Sequence, residues 1–485
     1  MSESDTMKGY TVTIGLEVHA ELKTRTKMFC DSKNDPDEER PNVNICPICM
    51  GYPGTLPTIN KQAVEHVLRV GTALGGTIAD FTEFDRKNYF YPDIPKGYQI
   101  TQYKYPLVSG GALRGVSLTR IHLEEDTASS SHTEGDYSLI DFNRAGIPLM
   151  ELVTEPVIHT ASDAAAFAKE LQLLLQTLGA GDANLEKGEM RVEANISVSK
   201  TSEFGTKVEV KNLNSFRAVE RAIDFEVARH IKVLEEGGTI SQETRGWDET
   251  KESTFSQRAK EDSHDYRYFP EPDLPKIWIS KMPEWSQEKL QSSLPELPWE
   301  KRVRLTSLGL KAEDAEVFVK NTNWGEYFSA VQTALESESK KILLAVNYLT
   351  SDLAGLIKKD STAVFETILV EEKIPSASFA QIMDLISSNI VSSAGAKQLL
   401  SALYSSEDKK DPSVLVEELG LAQKSDEGEL TAIAQTILDA NPSVVEDYKG
   451  GKVSVLQFFL GQGMKATKGS ANPEVLKGLF EKLLG

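Results

Sequence analysis

The stretch that decides the fold is VTIGLEVHAEL, residues 12–22. Aliphatic side chains occupy its even positions, whereas the odd positions carry mostly polar side chains, among them Glu17 and His19. A period of two predicts a β-strand that buries one face, because successive side chains of a strand point to opposite faces. The carboxylate of Glu17 and the imidazole of His19 are therefore expected side by side on the other face of this strand.

The length and composition of the chain limit what it can be. At 485 residues it exceeds what one hydrophobic core usually serves, so several domains are expected. Its hydrophobic content of 40% is typical of a soluble globular protein, and no stretch approaches the roughly 20 apolar residues of a membrane span. The N-terminus resembles neither a secretory signal nor an import sequence, which predicts a cytoplasmic protein. A net charge of −20 disfavours nonspecific binding to nucleic acid, so any such contact requires local basic patches.

The organisation of the chain changes near residue 290. Strand-like, turn-rich sequence with inserted helical segments comes before this point, and helical segments follow it. The proline- and serine-rich run QSSLPELPWE (291–300) marks the change. The sequence predicts an α+β protein: an N-terminal cradle domain with an antiparallel sheet and helices (1–294), an all-α helical domain (295–412) and a small helical tail (413–485).

Two further strand-like segments place acidic residues among apolar ones. They read IHLEED (121–126) and PLMELVTEP (148–156). Together with Glu17 they give three segments that each present a carboxylate, which is what a Mg²⁺ site requires, because this cation prefers oxygen ligands. The alternative is that these side chains face solvent on an antiparallel sheet, and spacing alone leaves both interpretations open. The candidates in these two segments are His122, Glu124, Glu125, Asp126, Glu151 and Glu155.

Two other segments combine cations with aromatic or amide side chains. FDRKNYFYPDIPKGYQITQYKYPL (84–107) interleaves tyrosines with Arg and Lys, a pattern that suits base stacking and phosphate pairing. A proline-turned hairpin whose tyrosines cover a core edge is the alternative. GTKVEVKNLNSFR (205–217) offers lysines and asparagines just before a helix start, a position suited to anions.

The cysteines and the absent motifs complete the inventory. Cys46 and Cys49 form half of a zinc knuckle and Cys30 offers a third thiolate, but a closed structural zinc site normally has four ligands. Spacing therefore leaves a zinc site and three reduced thiols both open. The sequence contains neither a G-x-x-x-x-G-K-[ST] phosphate loop nor a G-x-S-x-G nucleophile elbow. If ATP is used, its phosphates are held in another way.

A series of long motifs resembles the GatB/GatE family, the B subunits of glutamyl/aspartyl-tRNA amidotransferases. The resemblance covers most of residues 11–275 and continues in EDYKGGK (446–452) and GQGMKATKGSANP (461–473), which resemble the YqeY-like tail of this family. Its other motifs, in chain order, are IGLEVHAELKT, CPICMGYPGTLPTIN, FDRKNYFYPDIPKGYQI, IHLEEDTA, SLIDFNRAGIPLMELVTEP, KNLNSF, QETRGW and DYRYFPEPDL.

This resemblance implies a function. Members of the family act in a cytoplasmic heterotrimer with an amidase A subunit and a small C subunit, as a ligase that forms carbon–nitrogen bonds with glutamine as amido donor. The B subunit uses ATP and Mg²⁺ to phosphorylate the misacylated side chain of Glu-tRNA(Gln) or Asp-tRNA(Asn). Ammonia channelled from the A subunit then displaces the phosphate. The matching aminoacyl-tRNA synthetase is a further expected partner.

The resemblance also implies site residues. The Mg²⁺ ligands fall on Glu17, His19, Glu125 and Glu151, with Glu124 and Glu155 as alternatives to the last two. Glu125 and Lys87 are the expected catalytic residues. The expected ATP contacts are Lys207, Lys211 and Asn212, and the expected tRNA contacts in the tail are Lys465 and Lys468, for which a solvated helix is the alternative.

The cysteines depart from the family pattern. Family members often carry four cysteines as a structural zinc site, and the first pair reads Cys-x-Cys. The corresponding stretch here is Cys30-Asp31-Ser32, so one thiolate is missing. The resemblance therefore implies Zn²⁺ at Cys30, Cys46 and Cys49 with its fourth ligand undetermined.

Two other functions compete with the amidotransferase component. A metal-dependent phosphohydrolase built on the same carboxylates would turn over phosphate esters without tRNA. A noncatalytic tRNA-binding scaffold would retain its biological activity after Glu17→Ala and His19→Ala. The sequence does not determine whether glutamine, asparagine or both are made.

Overall fold

The computed structural model describes residues 6–7, 9–132, 136–259, 265–361, 363–365, 367–406, 408–423, 427–467 and 471–485. The chain divides into two compact units, Met1–Leu297 and Pro298–Gly485. The first contains strands and helices and the second is helical, which confirms the predicted α+β class. The three-domain division with boundaries after residues 294 and 412 stays a prediction.

The strands of the first unit are mostly short, and three of them have ten residues or more. In chain order they are β1 (Thr6–Met7), β2 (Tyr10–Glu21), β3 (Thr77–Ile78), β4 (Phe81–Thr82), β5 (Asp85–Asn88), β6 (Tyr98–Thr101), β7 (Val108–Ser109), β8 (Ala112–Leu113), β9 (Val116–Glu125), β10 (Ser129–His132), β11 (Ser138–Asp141), β12 (Pro148–Thr154), β13 (Met190–Ser199), β14 (Val208–Leu213), β15 (Glu243–Asp248), β16 (Ser253–Ala259), β17 (Phe269–Pro270) and β18 (Ile277–Trp278).

One sheet of eleven strands organises the first unit. Its order is β16-β15-β14-β13-β2-β12-β9-β7-β3, with β1 paired to β2 and β8 paired to β9. The predicted antiparallel pairing holds for all of these neighbours except β14 and β15, which run parallel. The reason is the connection between them, because parallel neighbours require a crossover and a long helix follows β14. The strand predicted from residues 12–22 is β2, which lies in the middle of the sheet.

The helices of both units have the following bounds. They are α1 (Lys61–Ala73), α2 (Ala161–Thr177), α3 (Phe216–Glu235), α4 (Gln287–Ser292), α5 (Pro298–Ser307), α6 (Ala312–Lys320), α7 (Thr322–Ala334), α8 (Ser339–Asn347), α9 (Ala354–Lys359), α10 (Val370–Lys373), α11 (Ser376–Ser387), α12 (Ser393–Ser405), α13 (Pro412–Glu418), α14 (Glu427–Asp439), α15 (Pro442–Lys449), α16 (Leu456–Ala466) and α17 (Pro473–Leu484). Across the described parts of the chain, none of these helices combines the length and the apolar character needed to cross a membrane.

Helices α2 and α3 cover the apolar face of the central strands. They pack against each other, and α3 contacts β13 and β14. The even-numbered side chains of β2 are buried, and Tyr10 at its start donates a hydrogen bond to Glu235 at the end of α3. Ser215 caps α3 by accepting a hydrogen bond from the backbone N–H of Ala218. The opposite face of the same strands is left to the polar side chains.

The second unit is held together by apolar helix faces. Near its end, α14, α16 and α17 enclose Leu430, Phe459, Leu476 and Phe480, which are fully buried. The side chain of Asn472 caps α17, and Pro473 occupies its first turn, where a missing N–H costs nothing. The tail therefore has a small core of its own.

Candidate functional site

Strand register brings a set of charged side chains together on the polar face of the sheet. β12 lies between β2 and β9, so that Glu151 is directly opposite His19 on one side and His122 on the other. Glu17 and Glu124 lie two residues along their strands from these histidines and so share the same face. We call Glu17, His19, His122, Glu124 and Glu151 the His19 cluster.

Distances show that the His19 cluster is compact. The Nε2 atom of His19 lies 3.7 Å from Glu17 Oε1, 3.5 Å from Glu124 Oε1 and 3.5 Å from Glu151 Oε2. The Nε2 atom of His122 lies 3.5 Å from the same oxygen of Glu151. Three carboxylates thus surround one imidazole, and only Glu17 of the three is not buried.

Glu125 is not brought together with Glu17, His19 and Glu151, contrary to the grouping that the resemblance implied. Its Oε1 accepts hydrogen bonds from the backbone N–H of Ile100, at 2.9 Å, and from the ammonium of Lys96. Glu124 takes the place beside His19 because neighbouring residues of a strand face opposite sides. The alternation within IHLEED is the signal that selects Glu124. Glu155, the other alternative, accepts a hydrogen bond from Thr119 at 2.7 Å.

The pKa values of the His19 cluster reflect burial of several negative charges together. Burial and the charge of Glu151 raise the pKa of Glu124 to about 7. Burial alone would lower the pKa of His19, but a hydrogen bond with Glu151 and the charge of Glu124 raise it to about 9. Burial lowers the pKa of His122 to about 4. At neutral pH His19 therefore carries a positive charge and Glu124 is partly protonated. Both features reduce the excess of buried negative charge, which a bound cation would also do.

A second row of carboxylates on the same face already has a protein cation. Glu193 lies opposite Glu17, and Glu209 follows on β14. The ammonium of Lys211 lies 2.7 Å from Glu193 Oε2 and 3.8 Å from Glu209 Oε1. Although burial opposes it, these charges raise the pKa of Lys211. Sequence reasoning missed both carboxylates: alternation in EMRVEANISV and KVEVKNL puts each on one face of its own strand, but only the pairing of the strands puts them beside Glu17.

The other two predicted ATP contacts are less enclosed. Lys207 and Asn212 are exposed, and Asn212 has a positive φ of 64°, a conformation that asparagine adopts more readily than most residues. Of the three predicted nucleotide ligands, the structure brings only Lys211 to the row of carboxylates beside the His19 cluster. All three roles stay predictions.

Lys87 lies at the edge of the His19 cluster. Its ammonium is 5.0 Å from the ring centre of Tyr266 and 5.8 Å from that of Tyr89. Burial by itself would lower the pKa of Lys87, but the nearby charge of Glu124 raises it, so this lysine is protonated at neutral pH. A fixed positive charge beside the carboxylates is suited to binding an anionic group.

Aromatic rings form the rim of the site next to Lys87. The rings of Tyr103 and Tyr268 are parallel, with centres 4.1 Å apart and an angle of 9° between their planes. Tyr103 is 60% exposed and lies two residues after Thr101, whose hydroxyl donates a hydrogen bond to Glu124 at 3.2 Å. The stack is therefore both next to the His19 cluster and open to solvent. We call Tyr89, Tyr103, Tyr266 and Tyr268 the aromatic rim.

The donor set of the His19 cluster fits a divalent cation. Ligand atoms of Glu17, His19 and Glu151 lie within 4.8 Å of one another, and so do those of His122, Glu124 and Glu151. Carboxylate oxygens are the ligands that Mg²⁺ prefers, and an imidazole is an acceptable addition. Permanent cations also lie on or beside this face: Arg120, Lys87 and Lys211 are near its carboxylates, and Arg191 is paired with Asp126 at 2.9 Å. A divalent cation would add positive charge where three carboxylates surround His19.

The three cysteines also meet. Their Sγ atoms lie within 4.8 Å of one another, and Cys30 and Cys49 are buried. Hydrogen bonding with Cys30 and the charge of Lys27 lower the pKa of Cys49 to about 4, although burial opposes this. Three sulfur atoms at this separation fit three corners of a tetrahedral zinc site.

The two tail lysines predicted to contact tRNA are in different situations. Lys465 is exposed in the last turn of α16. Lys468 lies outside the described residues. A solvated helix and a tRNA contact both remain compatible with Lys465, so this role stays a prediction.

Comparisons with known proteins agree over nearly the whole chain. The model of the GatB/GatE catalytic domain matches residues 12–284, and a model named GatB domain matches residues 327–484. Relatives named as the B subunit of aspartyl/glutamyl-tRNA(Asn/Gln) amidotransferase occur in Caldanaerobacter subterraneus, at 43% identity over 98% of this chain and 99% of the relative, and in Thermus thermophilus, at 43% identity over the same shares. Another, from Crocosphaera subtropica, is 41% identical over 98% of both chains. The chain therefore belongs to the GatB/GatE family.

Proposed function

We propose that this chain is the B subunit of a tRNA-dependent amidotransferase, in which it phosphorylates the side-chain carboxylate of Glu-tRNA(Gln), Asp-tRNA(Asn) or both. The observation that carries this proposal is the His19 cluster, in which three carboxylates, two of them buried, lie beside a lysine and an aromatic rim. Relatives that match over their full length bear the corresponding name. ATP and Mg²⁺ are the proposed cosubstrate and cofactor, and an amidase A subunit and a small C subunit the proposed partners.

The reaction requires activation because a carboxylate is a poor acyl donor to ammonia. Transfer of the γ-phosphoryl group of ATP to one carboxylate oxygen gives an acyl phosphate and ADP, and attack of ammonia on the carbonyl carbon then releases phosphate and leaves the amide. Phosphoryl transfer depends mainly on positioning and on neutralising charge. Bound Mg²⁺ supplies part of that neutralisation.

The chain's own residues have definite roles in this proposal. Glu17, His19, Glu124 and Glu151 hold the cation, and His122 supports Glu151 from the neighbouring strand. Lys87 holds a positive charge at the edge of the His19 cluster, where it orients the transferred phosphoryl group or the substrate carboxylate. The aromatic rim offers ring faces to a base, either that of ATP or the terminal adenosine of tRNA.

The proposal is tested in the reconstituted heterotrimer. With its A and C partners, the wild-type chain should convert Glu-tRNA(Gln) to Gln-tRNA(Gln) with ATP and glutamine, whereas the chain alone should not. Without a nitrogen donor the complex should transfer the labelled γ-phosphate of ATP to Glu-tRNA. Glutaminase activity of the amidase partner should persist in variants of the His19 cluster that have lost this transfer.

A matched pair of neighbours tests the assignment of the metal ligands. Glu124→Gln should weaken binding of Mn²⁺, used as a spectroscopic probe for Mg²⁺, and should abolish phosphoryl transfer. Glu125→Gln should leave Mn²⁺ affinity unchanged, because Glu125 contacts Lys96 and Ile100 instead. The reverse result would defeat the assignment. Phosphate-ester hydrolysis without tRNA would support a phosphohydrolase, and full amidation by Glu17→Ala or His19→Ala would support a scaffold.

A further inference from the structure

The eleven-stranded sheet ends at β3, and one side of this strand has no neighbouring strand among the described residues. On its other side β3 pairs with β7, where Ile78 lies opposite Val108. The backbone N–H of Ala79 donates to the carbonyl of Leu107 at 2.9 Å, so Ile78 occupies a non-hydrogen-bonded pair of this ladder. The N–H and C=O of Ile78 therefore point away from β7, towards the open side of the strand.

A strand of this chain fills the same side of the segment that follows β3. The carbonyl of Asp80, two residues after Ile78, points in the same direction. It accepts a hydrogen bond at 2.7 Å from the N–H of Ile279, just after the end of β18. The chain then turns away through a short 3₁₀ helix, Ile279–Lys281. The position beside Ile78 that a longer β18 would occupy is a groove.

The groove beside β3 is large enough to bind a ligand. Its volume is about 630 Å³, within the range of roughly 300–1,000 Å³ for binding pockets. One wall is formed by residues from 72–80, which run from the end of α1 to the segment after β3, and the other wall by residues from 279–291. We call this space the β3 groove.

The β3 groove combines apolar side chains with negative charge. The buried side chains of Ile279, Trp285 and Leu290 line it, together with Met282, which is 36% exposed. Asp80 has the only charged side chain among the described residues that line it. Helix α1 ends at the groove with no basic residue in its last turn, and the C-terminal end of a helix carries a partial negative charge. The groove therefore suits an occupant with a positive charge.

We propose that the β3 groove binds an extended polypeptide segment of a partner protein, which pairs with Ile78 as an added strand and places a lysine or arginine side chain beside Asp80. Backbone pairing at a sheet edge supplies affinity, and pockets for individual side chains supply specificity. An extended segment fits because the outward N–H and C=O of Ile78 continue the line of β18. The partner is the amidase A subunit or the small C subunit, and this part of the inference rests on the proposed function.

Hydrogen exchange resolved to single residues tests the strand pairing. In the reconstituted heterotrimer the amide of Ile78 should exchange at least about tenfold more slowly than in the chain alone, because it gains a hydrogen-bond acceptor. The amide of Ala79, which already donates to Leu107, should be slowed less. An unchanged Ile78 amide in a heterotrimer that amidates Glu-tRNA would overturn the inference and leave the proposed function intact. Failure of the three chains to associate would refute both.

Charge variants of the β3 groove test the basic side chain. Met282→Arg places a cation next to the proposed lysine or arginine and should raise the dissociation constant of the complex about tenfold, whereas Met282→Glu should not raise it. Asp80→Asn removes the charge but keeps an oxygen for the N–H of Ser280, and should also weaken binding. Glu186→Gln removes an exposed carboxylate elsewhere and should leave binding unchanged. Calorimetric titration with the partner subunits measures these constants. Equal dissociation constants for Met282→Arg and Met282→Glu would overturn the assignment of a basic side chain.

Discussion

Two buried charge clusters in the first unit differ in how they are balanced. The first is the His19 cluster. The second, which we call the Glu226 cluster, joins α3 to β15 and β16 and comprises Glu226, Arg229, Glu243, Arg245 and Thr254. Oxygens of Glu226 lie 2.7 Å from Arg229 Nη2 and 3.2 Å from Arg245 Nε, and Arg245 also donates to Glu243 at 2.8 Å. Two carboxylates thus meet two guanidinium groups, and the protein alone satisfies both.

The difference in charge balance indicates a separate role for each cluster. The Glu226 cluster is complete, and its central carboxylate is fully buried. In the His19 cluster three carboxylates surround one imidazole, next to an aromatic rim that is open to solvent. A buried excess of negative charge is unfavourable unless a cation from outside balances it. The His19 cluster therefore suits the cation binding that we propose for it, whereas the Glu226 cluster stabilises the fold.

Breaking the Glu226 cluster should have the largest effect on stability. Glu226→Gln leaves Arg229 and Arg245 without their shared carboxylate and should lower the free energy of unfolding by about 3–5 kcal/mol, as for other buried ion pairs that lose one partner. Urea unfolding measures this change. Asp224→Asn, at an exposed position of the same helix, should change it little. Equal effects of the two substitutions would mean that the cluster does not hold α3 to the sheet.

A substitution in the His19 cluster should mainly affect activity. Glu151→Gln should lower the rate of Glu-tRNA amidation by at least about 100-fold, because even outer partners of metal ligands contribute 10–100-fold. It should also lower the free energy of unfolding of the metal-free chain, because the pKa of Glu151 lies below its ordinary value in the folded chain. Burial would raise this pKa, but His122, a hydrogen bond with His19 and the charge of Arg120 lower it. Glu155→Gln on the same segment should retain activity. Unchanged amidation by Glu151→Gln would remove Glu151 from the site.

Acid should weaken the contribution of the Glu226 cluster to stability. Burial alone would raise the pKa of Glu226. Hydrogen bonds from His230, Arg229 and Thr254 instead hold it at about 2, below its ordinary value of 4.5. A carboxylate with a depressed pKa binds fewer protons in the folded than in the unfolded state. Its contribution is therefore present above about pH 4.5 and is lost as the pH falls towards 2. The stability difference between wild type and Glu226→Gln should shrink in that window by up to about 1.4 kcal/mol per pH unit, measured by urea unfolding at each pH.

The smallest expected effect concerns the open side of the His19 cluster. Tyr103→Leu removes the exposed ring of the stacked pair and should raise the KM of one substrate, ATP or Glu-tRNA, about tenfold, within the range for a lost base stack. Steady-state kinetics with each substrate varied in turn identifies which base uses the ring. Tyr137→Leu removes another exposed tyrosine and should leave both KM values unchanged. Unchanged KM values in Tyr103→Leu would exclude the stack as a base-binding surface.

Much of the candidate site could be predicted from local patterns. The alternation in VTIGLEVHAEL correctly indicated a strand with Glu17 and His19 on one face, and the carboxylate at Glu151 was found among apolar strand residues. The resemblance implied that Glu125 belongs with Glu17, His19 and Glu151, whereas alternation within IHLEED puts Glu124 and Glu125 on opposite faces of the strand. The structure places Glu124 beside His19, and which of the two binds a metal stays a prediction.

Other partners could not be read from the sequence because they depend on register between distant segments. Glu193 and Glu209 join the polar face only because β13 and β14 pair next to β2, and Lys211 comes between them through the same pairing. The parallel pairing of β14 with β15 likewise follows from a crossover helix. No local pattern contains the order of strands in a sheet.

The sequence by itself determined the α+β class, the polar face of β2 and the family, because period-two alternation and long motifs are local properties that one chain displays. Only the tertiary structure decided which carboxylates surround His19 and which lysine lies beside the cysteines. These relations join residues that are far apart along the chain. They are set by strand register and by the need to balance buried charge, and both exist only once the chain is folded.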